Sequence, residues 1–119
     1  MMKISIAYVL ISIALLMGCS KGYKIEPNEL PNARVGQPYQ QSLIITGGKV
    51  EDKYFHLKTN LPNNIRIVIE PSNELDGYNN ISIKDTPKYS GKFSIEISTG
   101  FYSKGDDELS KTYDFIISE

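Results

Sequence analysis

Short runs of strict alternation, each closed by proline, glycine or asparagine, constrain this chain more than any other feature. From Tyr39 onward, Tyr39, Gln41, Leu43 and Ile45 share one face, while Gln40, Ser42, Ile44 and Thr46 share the other. That is a period of two, a strand, and Gly47-Gly48 ends it. The same period places Ile81 and Ile83 inward, then Phe93, Ile95 and Ile97 against Ser94, Glu96 and Ser98, and finally Tyr113, Phe115 and Ile117. Two shorter runs read as strands. Tyr54 to Lys58 sets Phe55 and Leu57 opposite Tyr54, His56 and Lys58, and Ile65, Ile67 and Ile69 share a face up to Pro71. Leu30 to Pro38 holds two further prolines and a glycine, which forbid a helix and predict a kinked edge strand and turn. Turns are expected at Asn60 to Asn64, at Asp76-Gly77 and from Thr86-Pro87 to Gly91, with a long loop from Thr99 to Ser110. About seven strands with no helical periodicity predict an all-β chain, a single antiparallel β-sandwich. Abundant Ile, Tyr, Ser, Thr, Asn and Gly, with no tryptophan, agree with strands and turns.

The N-terminus follows a different rule. Lys3 is the one charge before an apolar run from Ile4 to Met17, interrupted by Ser5 and Ser12. A membrane-spanning helix needs about 20 apolar residues, so the run reads as a secretory signal rather than a permanent anchor. It ends at Leu16-Met17-Gly18-Cys19, which resembles the lipobox of bacterial lipoproteins. Leu16 matches the usual aliphatic residue and Gly18 the small residue before the cysteine, whereas Met17 is a less typical occupant of its position. The resemblance implies cleavage between Gly18 and Cys19 and lipidation of Cys19. Two or more acyl chains give stable membrane anchoring, which one chain does not. Ser20 stands where an inner-membrane retention signal has aspartate, so the resemblance implies an outer-membrane lipoprotein facing the periplasm in a two-membrane bacterium. The chain then divides into signal 1–18, lipidated tether 19–24 and sandwich domain 25–119.

The 101 residues from Cys19 to Glu119 suffice for one domain with one modest core. Without Lys3 they carry 12 basic and 14 acidic side chains, scattered in sign, so nothing points to nucleic acid. Cys19 is the sole cysteine, so the chain has no internal disulfide and its stability rests on the core.

A second resemblance covers residues 30–117. Leu30-Pro31-Asn32-Ala33-Arg34-Val35-Gly36-Gln37-Pro38-Tyr39, Gly47-Gly48, Leu61-Pro62-Asn63-Asn64-Ile65 and Asp85-Thr86-Pro87-Lys88-Tyr89-Ser90-Gly91-Lys92-Phe93 are similar, in order and spacing, to the immunoglobulin-like domains of bacterial surface and secreted proteins, relatives of the cadherin-like sandwiches. It implies an immunoglobulin-like sandwich that acts as a spacer or a binding module. Asp85 replaces a usual glycine, Phe93 a usual tyrosine, and Asn64 a common glycine. Aspartate tolerates the backbone angles that a glycine position requires better than most residues do.

Catalytic constellations are missing from the sequence. His56 is the only histidine, no Gly-x-Ser-x-Gly elbow occurs, and no Gly-rich phosphate loop is present. Asp106, Asp107 and Glu108, with Asp52 and Asp76 as helpers, are weak candidates for a calcium site, because they lack the spacing of a calcium loop. Tyr78, Phe101 and Tyr102 fall in loops, where aromatics either build a binding tip or fold back over a sandwich end. In immunoglobulin order, the loops 47–52, 71–80 and 99–110 gather at the end where the tether enters. The expectation is a non-catalytic module without cofactor, held to the membrane through Cys19. It docks another envelope protein through its loops or an exposed strand edge, as an immunity, exclusion or assembly accessory. The rival is a cell-wall or surface glycan binder using Tyr78, Phe101 and Tyr102 as stacking faces.

Overall fold

A computed structural model of the chain describes residues 22–102 and 108–119. The lipobox, Gly18 and Cys19 among it, and the acidic pair Asp106 and Asp107 lie outside the described residues. Eight strands form: β1 (Lys24–Glu26), β2 (Ala33–Arg34), β3 (Tyr39–Thr46), β4 (His56–Thr59), β5 (Val68–Pro71), β6 (Asn80–Asp85), β7 (Gly91–Gly100) and β8 (Glu108–Ser118). They make two four-stranded sheets, ordered β1-β3-β6-β5 and β2-β8-β7-β4. That is the strand order of an immunoglobulin-like sandwich whose first strand is shared between the sheets.

Proline punctuation accounts for the sharing. β1 pairs antiparallel with β3 through Lys24↔Thr46 to Glu26↔Ile44, and Pro27, which has no N–H to donate, follows at once. The chain crosses to the second sheet, where β2 pairs with β8 at only two positions, Ala33↔Ile117 and Arg34↔Ser118. This pairing is parallel, so the sandwich is not purely antiparallel as the alternation implied. The strand count likewise rises from about seven to eight. Lys24, expected in the tether, already belongs to β1.

The alternating runs bury as the period requires. Leu43, Ile45, Ile81, Ile83, Ile95, Ile97, Tyr113, Phe115 and Ile117 form the inner layer between the sheets. Three segments depart from expectation. Tyr54 closes a 3-10 turn, Asp52–Tyr54, leaving β4 only four residues, all exposed. Ile65 is buried, but from a 3-10 turn, Asn63–Ile65, and Arg66 takes the left-handed conformation (φ 72°), so the strand starts at Val68. Both ends of the expected loop 99–110 are strand, Thr99 and Gly100 on one side and Glu108 to Ser110 on the other, because β7 and β8 stay paired as far as Gly100↔Glu108. Asp85 has φ 90° at the end of β6.

Candidate functional site: the open edge of the last strand

β8 is eleven residues long, and β2 covers only its last two described rungs. In a strand the N–H and C=O of one residue point to the same side, and successive residues alternate between sides. Two independent contacts fix the parity. The Ser118 carbonyl accepts from the Val35 N–H at 2.9 Å, so Ser118 points toward β2. Across the sheet, Ser94 sits opposite Asp114, and Ser94 directs its own main chain away from β8. Its N–H donates to Asn60 Oδ1 at 2.9 Å, and its carbonyl accepts from Thr59 Oγ1 at 2.6 Å. Asp114 therefore also points outward, and so do Thr112 and Ile116, two positions to either side. The parallel rung Ala33↔Ile117 takes the Ile116 carbonyl, which accepts from the Ala33 N–H, but among the described residues no protein group hydrogen-bonds the main chain of Thr112 or Asp114 on that side.

The segment 27–32 stands off from this edge and leaves a groove of about 400 Å³ between itself and β8, lined by Asn28, Glu29, Leu30 and Asn32 on one wall. The opposite wall is β8 from Lys111 to Ile116, excluding the buried Phe115. Side-chain bonds hold the outer wall at its ends. The Tyr113 hydroxyl donates to the Pro27 carbonyl at 2.6 Å, and the Tyr39 hydroxyl donates to the Pro31 carbonyl at 2.8 Å. Lys111 Nζ donates to Asn28 Oδ1 at 2.8 Å. Tyr39 also meets Phe115 edge-on, centroids 5.2 Å apart. Burial pushes both tyrosine hydroxyls up to about 12, since an apolar surround disfavours the phenolate. The groove thus has a fixed outer wall, unpaired main-chain groups on its inner wall and a polar lining. An extended peptide entering it would find N–H and C=O partners at two alternate residues, Thr112 and Asp114, and room beside them.

The residues singled out in the sequence fall elsewhere. Phe101 is 5% exposed, stacked on Tyr23 with centroids 3.9 Å apart and planes at 5°, and its backbone bridges Val50. Tyr78 stacks on Phe55, again at 3.9 Å. Both cap the core, each with one ring face against an internal partner, and of the three only Tyr102, 64% exposed, presents an open ring. The end where they gather is the one at which the described chain begins, as the loop order implied: Gly22 and Tyr23 pack against Gly47 and Gly48 there. His56 is exposed on β4, the opposite edge strand of the same sheet. Glu108 opens β8 and is exposed, and among the described residues no three His, Cys, Asp or Glu side chains gather as a metal site.

Sequence reading missed the β8 edge because it depends on how little of a neighbouring strand is paired. The one available signal was the proline spacing, Pro27, Pro31 and Pro38, which leaves few residues able to donate to a ladder. No family model matches the chain, and neither the curated proteins nor the solved structures contain a match.

Proposed function

We propose that this chain is a lipid-anchored envelope protein whose sandwich docks another envelope protein by accepting an extended segment along β8. One observation carries the reading: among the described residues, the outward main-chain groups of Thr112 and Asp114 have no partner on the side facing the groove. An exposed strand edge is a template for strand addition, in which main-chain hydrogen bonds supply affinity and the groove walls supply selection. The polar lining, with Asn28, Glu29, Asn32 and Lys111, suits a polar extended segment better than an apolar one. The lipobox resemblance supports attachment through Cys19, and Ser20 supports the outer membrane in a two-membrane bacterium. The role is that of an immunity, exclusion or assembly accessory, in which an anchored domain holds or blocks a partner without chemistry.

The test is crosslinking in intact cells, then affinity purification of the full-length lipoprotein beside Cys19→Ala and Asp114→Pro variants. Proline at 114 removes an N–H that no ladder bond uses, and it blocks strand addition. The reading expects one envelope protein recovered with the native chain and lost with Asp114→Pro, while thermal unfolding shows that variant still folded. Equal recovery with folded Asp114→Pro contradicts docking at this edge.

A further inference from the structure

The tether end of the sandwich carries a feature that docking at β8 does not use. Gly47, at φ 101°, lies so close to Gly22 that an added Cβ would collide with the Gly22 carbonyl oxygen. The incoming chain is therefore pressed onto the 47–49 turn, with Tyr23 stacked on Phe101. Lys49 ties two more loops to the same place. Its Nζ donates to the carbonyl oxygens of Asp76 at 3.0 Å and Leu75 at 3.4 Å, and its own carbonyl accepts from the Tyr102 N–H at 3.0 Å. Leu75 is 89% exposed and Tyr102 is 64% exposed, the two most exposed large hydrophobic side chains described. Leu75 is displayed by a hydrogen-bonded turn: the Asp76 N–H donates to Asn73 Oδ1 at 2.7 Å, and Asn73 Nδ2 donates to Asp76 Oδ2 at 3.0 Å.

Cys19 lies three residues before Gly22, a reach of about 10 Å for extended chain. An acyl-bearing Cys19 would therefore bring this end, and neither the opposite end nor the β8 groove, to the headgroups. We infer that the end displaying Leu75 and Tyr102 seats in the interfacial layer of the lipid bilayer as a second contact beside the lipid on Cys19. This rests on the lipid-anchor reading above. Tyrosine suits that layer, with an apolar ring and a polar tip, and leucine adds buried area. Glu74 and Asp76 flank Leu75 in the chain, and the Lys49 ammonium is taken up by the Asp76 and Leu75 carbonyls, so the attraction is apolar and needs no anionic lipid. Seating also orients the domain. With Glu108 at the membrane end, Thr112 to Ile116 stand roughly 13–26 Å further along β8, clear of the headgroups for a periplasmic partner.

The chain has no tryptophan, so one introduced indole reports its own surroundings. Full-length lipidated protein carrying Leu75→Trp or Tyr102→Trp is reconstituted in phosphatidylcholine vesicles with brominated acyl chains. Tyr89→Trp, on the corner at the opposite end, is the reference. The inference expects the indoles at 75 and 102 to shift to the blue and lose about half their emission to bromine, unaffected by salt, while that at 89 does neither. Flotation with the vesicles but equal emission at all three sites overturns the inference and leaves the lipid anchor standing. Failure to float overturns the anchor and the inference with it. A blue shift at 75 that needs added envelope extract and shows no bromine quenching overturns it in favour of a protein partner.

Discussion

On the flank of the second sheet beside β4, side chains close the main chain where the strand runs out: Asn60 Oδ1 takes the Ser94 N–H, and Thr59 Oγ1 gives to the Ser94 carbonyl. On the flank beside β8, the residue directly across from Ser94 is Asp114, and its main chain faces a groove with no such closure. The two positions share one rung of one sheet and face opposite ways. An edge left open is a hazard for aggregation, and proteins commonly blunt it with a charge, a proline or a cap. Here one flank is capped, and the other is kept at a distance by a wall that two tyrosine hydroxyls hold without filling the space. The difference teaches that the opening beside β8 is built, since the wall that could have paired with it is held off it.

Removing what both flanks share should have the largest effect. Phe115 is fully buried on β8 between the capped and the open side, and Phe115→Ala should cost about 3–5 kcal/mol in denaturant unfolding, lowering stability without favouring either flank. Tyr113→Phe should cost about 1 kcal/mol through the lost bond to Pro27 and should loosen the outer wall, read as faster amide exchange at residues 28–30. The same wall predicts an alkaline response. The two hydroxyls stay neutral in the fold up to about 12, whereas the unfolded chain ionises them near the ordinary 10.0. Native protein thus holds protons that unfolded protein has released, so stability is full below pH 10 and falls as pH climbs from 10 toward 12. Thermal unfolding across that range reads the effect, and Tyr113→Phe should flatten part of it.

The sharpest contrast lies in amide exchange along the shared rung. Ser94 should exchange slowly and Asp114 fast, and Asn60→Ala, at about 1 kcal/mol, should make Ser94 as fast as Asp114. Asp114→Pro should change stability least, by under about 1 kcal/mol, because it removes no protein hydrogen bond.

Much of this fold was legible in the residues. Tyr39 to Ile45, Ile81 and Ile83, and Tyr113 to Ile117 bury on the faces their alternation assigned, because a period of two leaves no other choice once one face is apolar. Asp85 has φ 90°, a backbone angle that aspartate tolerates better than most residues. Ile65 misled, because a buried isoleucine signals burial and not the conformation that buries it; Arg66 in the left-handed region breaks the strand after it. The loop expected at 99–110 misled for a related reason, since Gly100 and Ser110 look like loop residues yet sit on ladder rungs. The aromatics Phe101 and Tyr78 were placed at the correct end, but their partners Tyr23 and Phe55 come from distant segments, and no local pattern announces such a pair. The open edge was the least legible feature. It is a statement about which groups lack a partner, and alternation alone assigns faces, not partners.

The most direct measurement places a photo-crosslinking amino acid at Thr112, on the open flank, and separately at Lys58, on β4, in the full-length chain in intact cells. Docking along β8 gives one discrete adduct with a single partner protein from position 112 and none from position 58. No adduct at 112, or the same adduct from both positions, would contradict docking along β8.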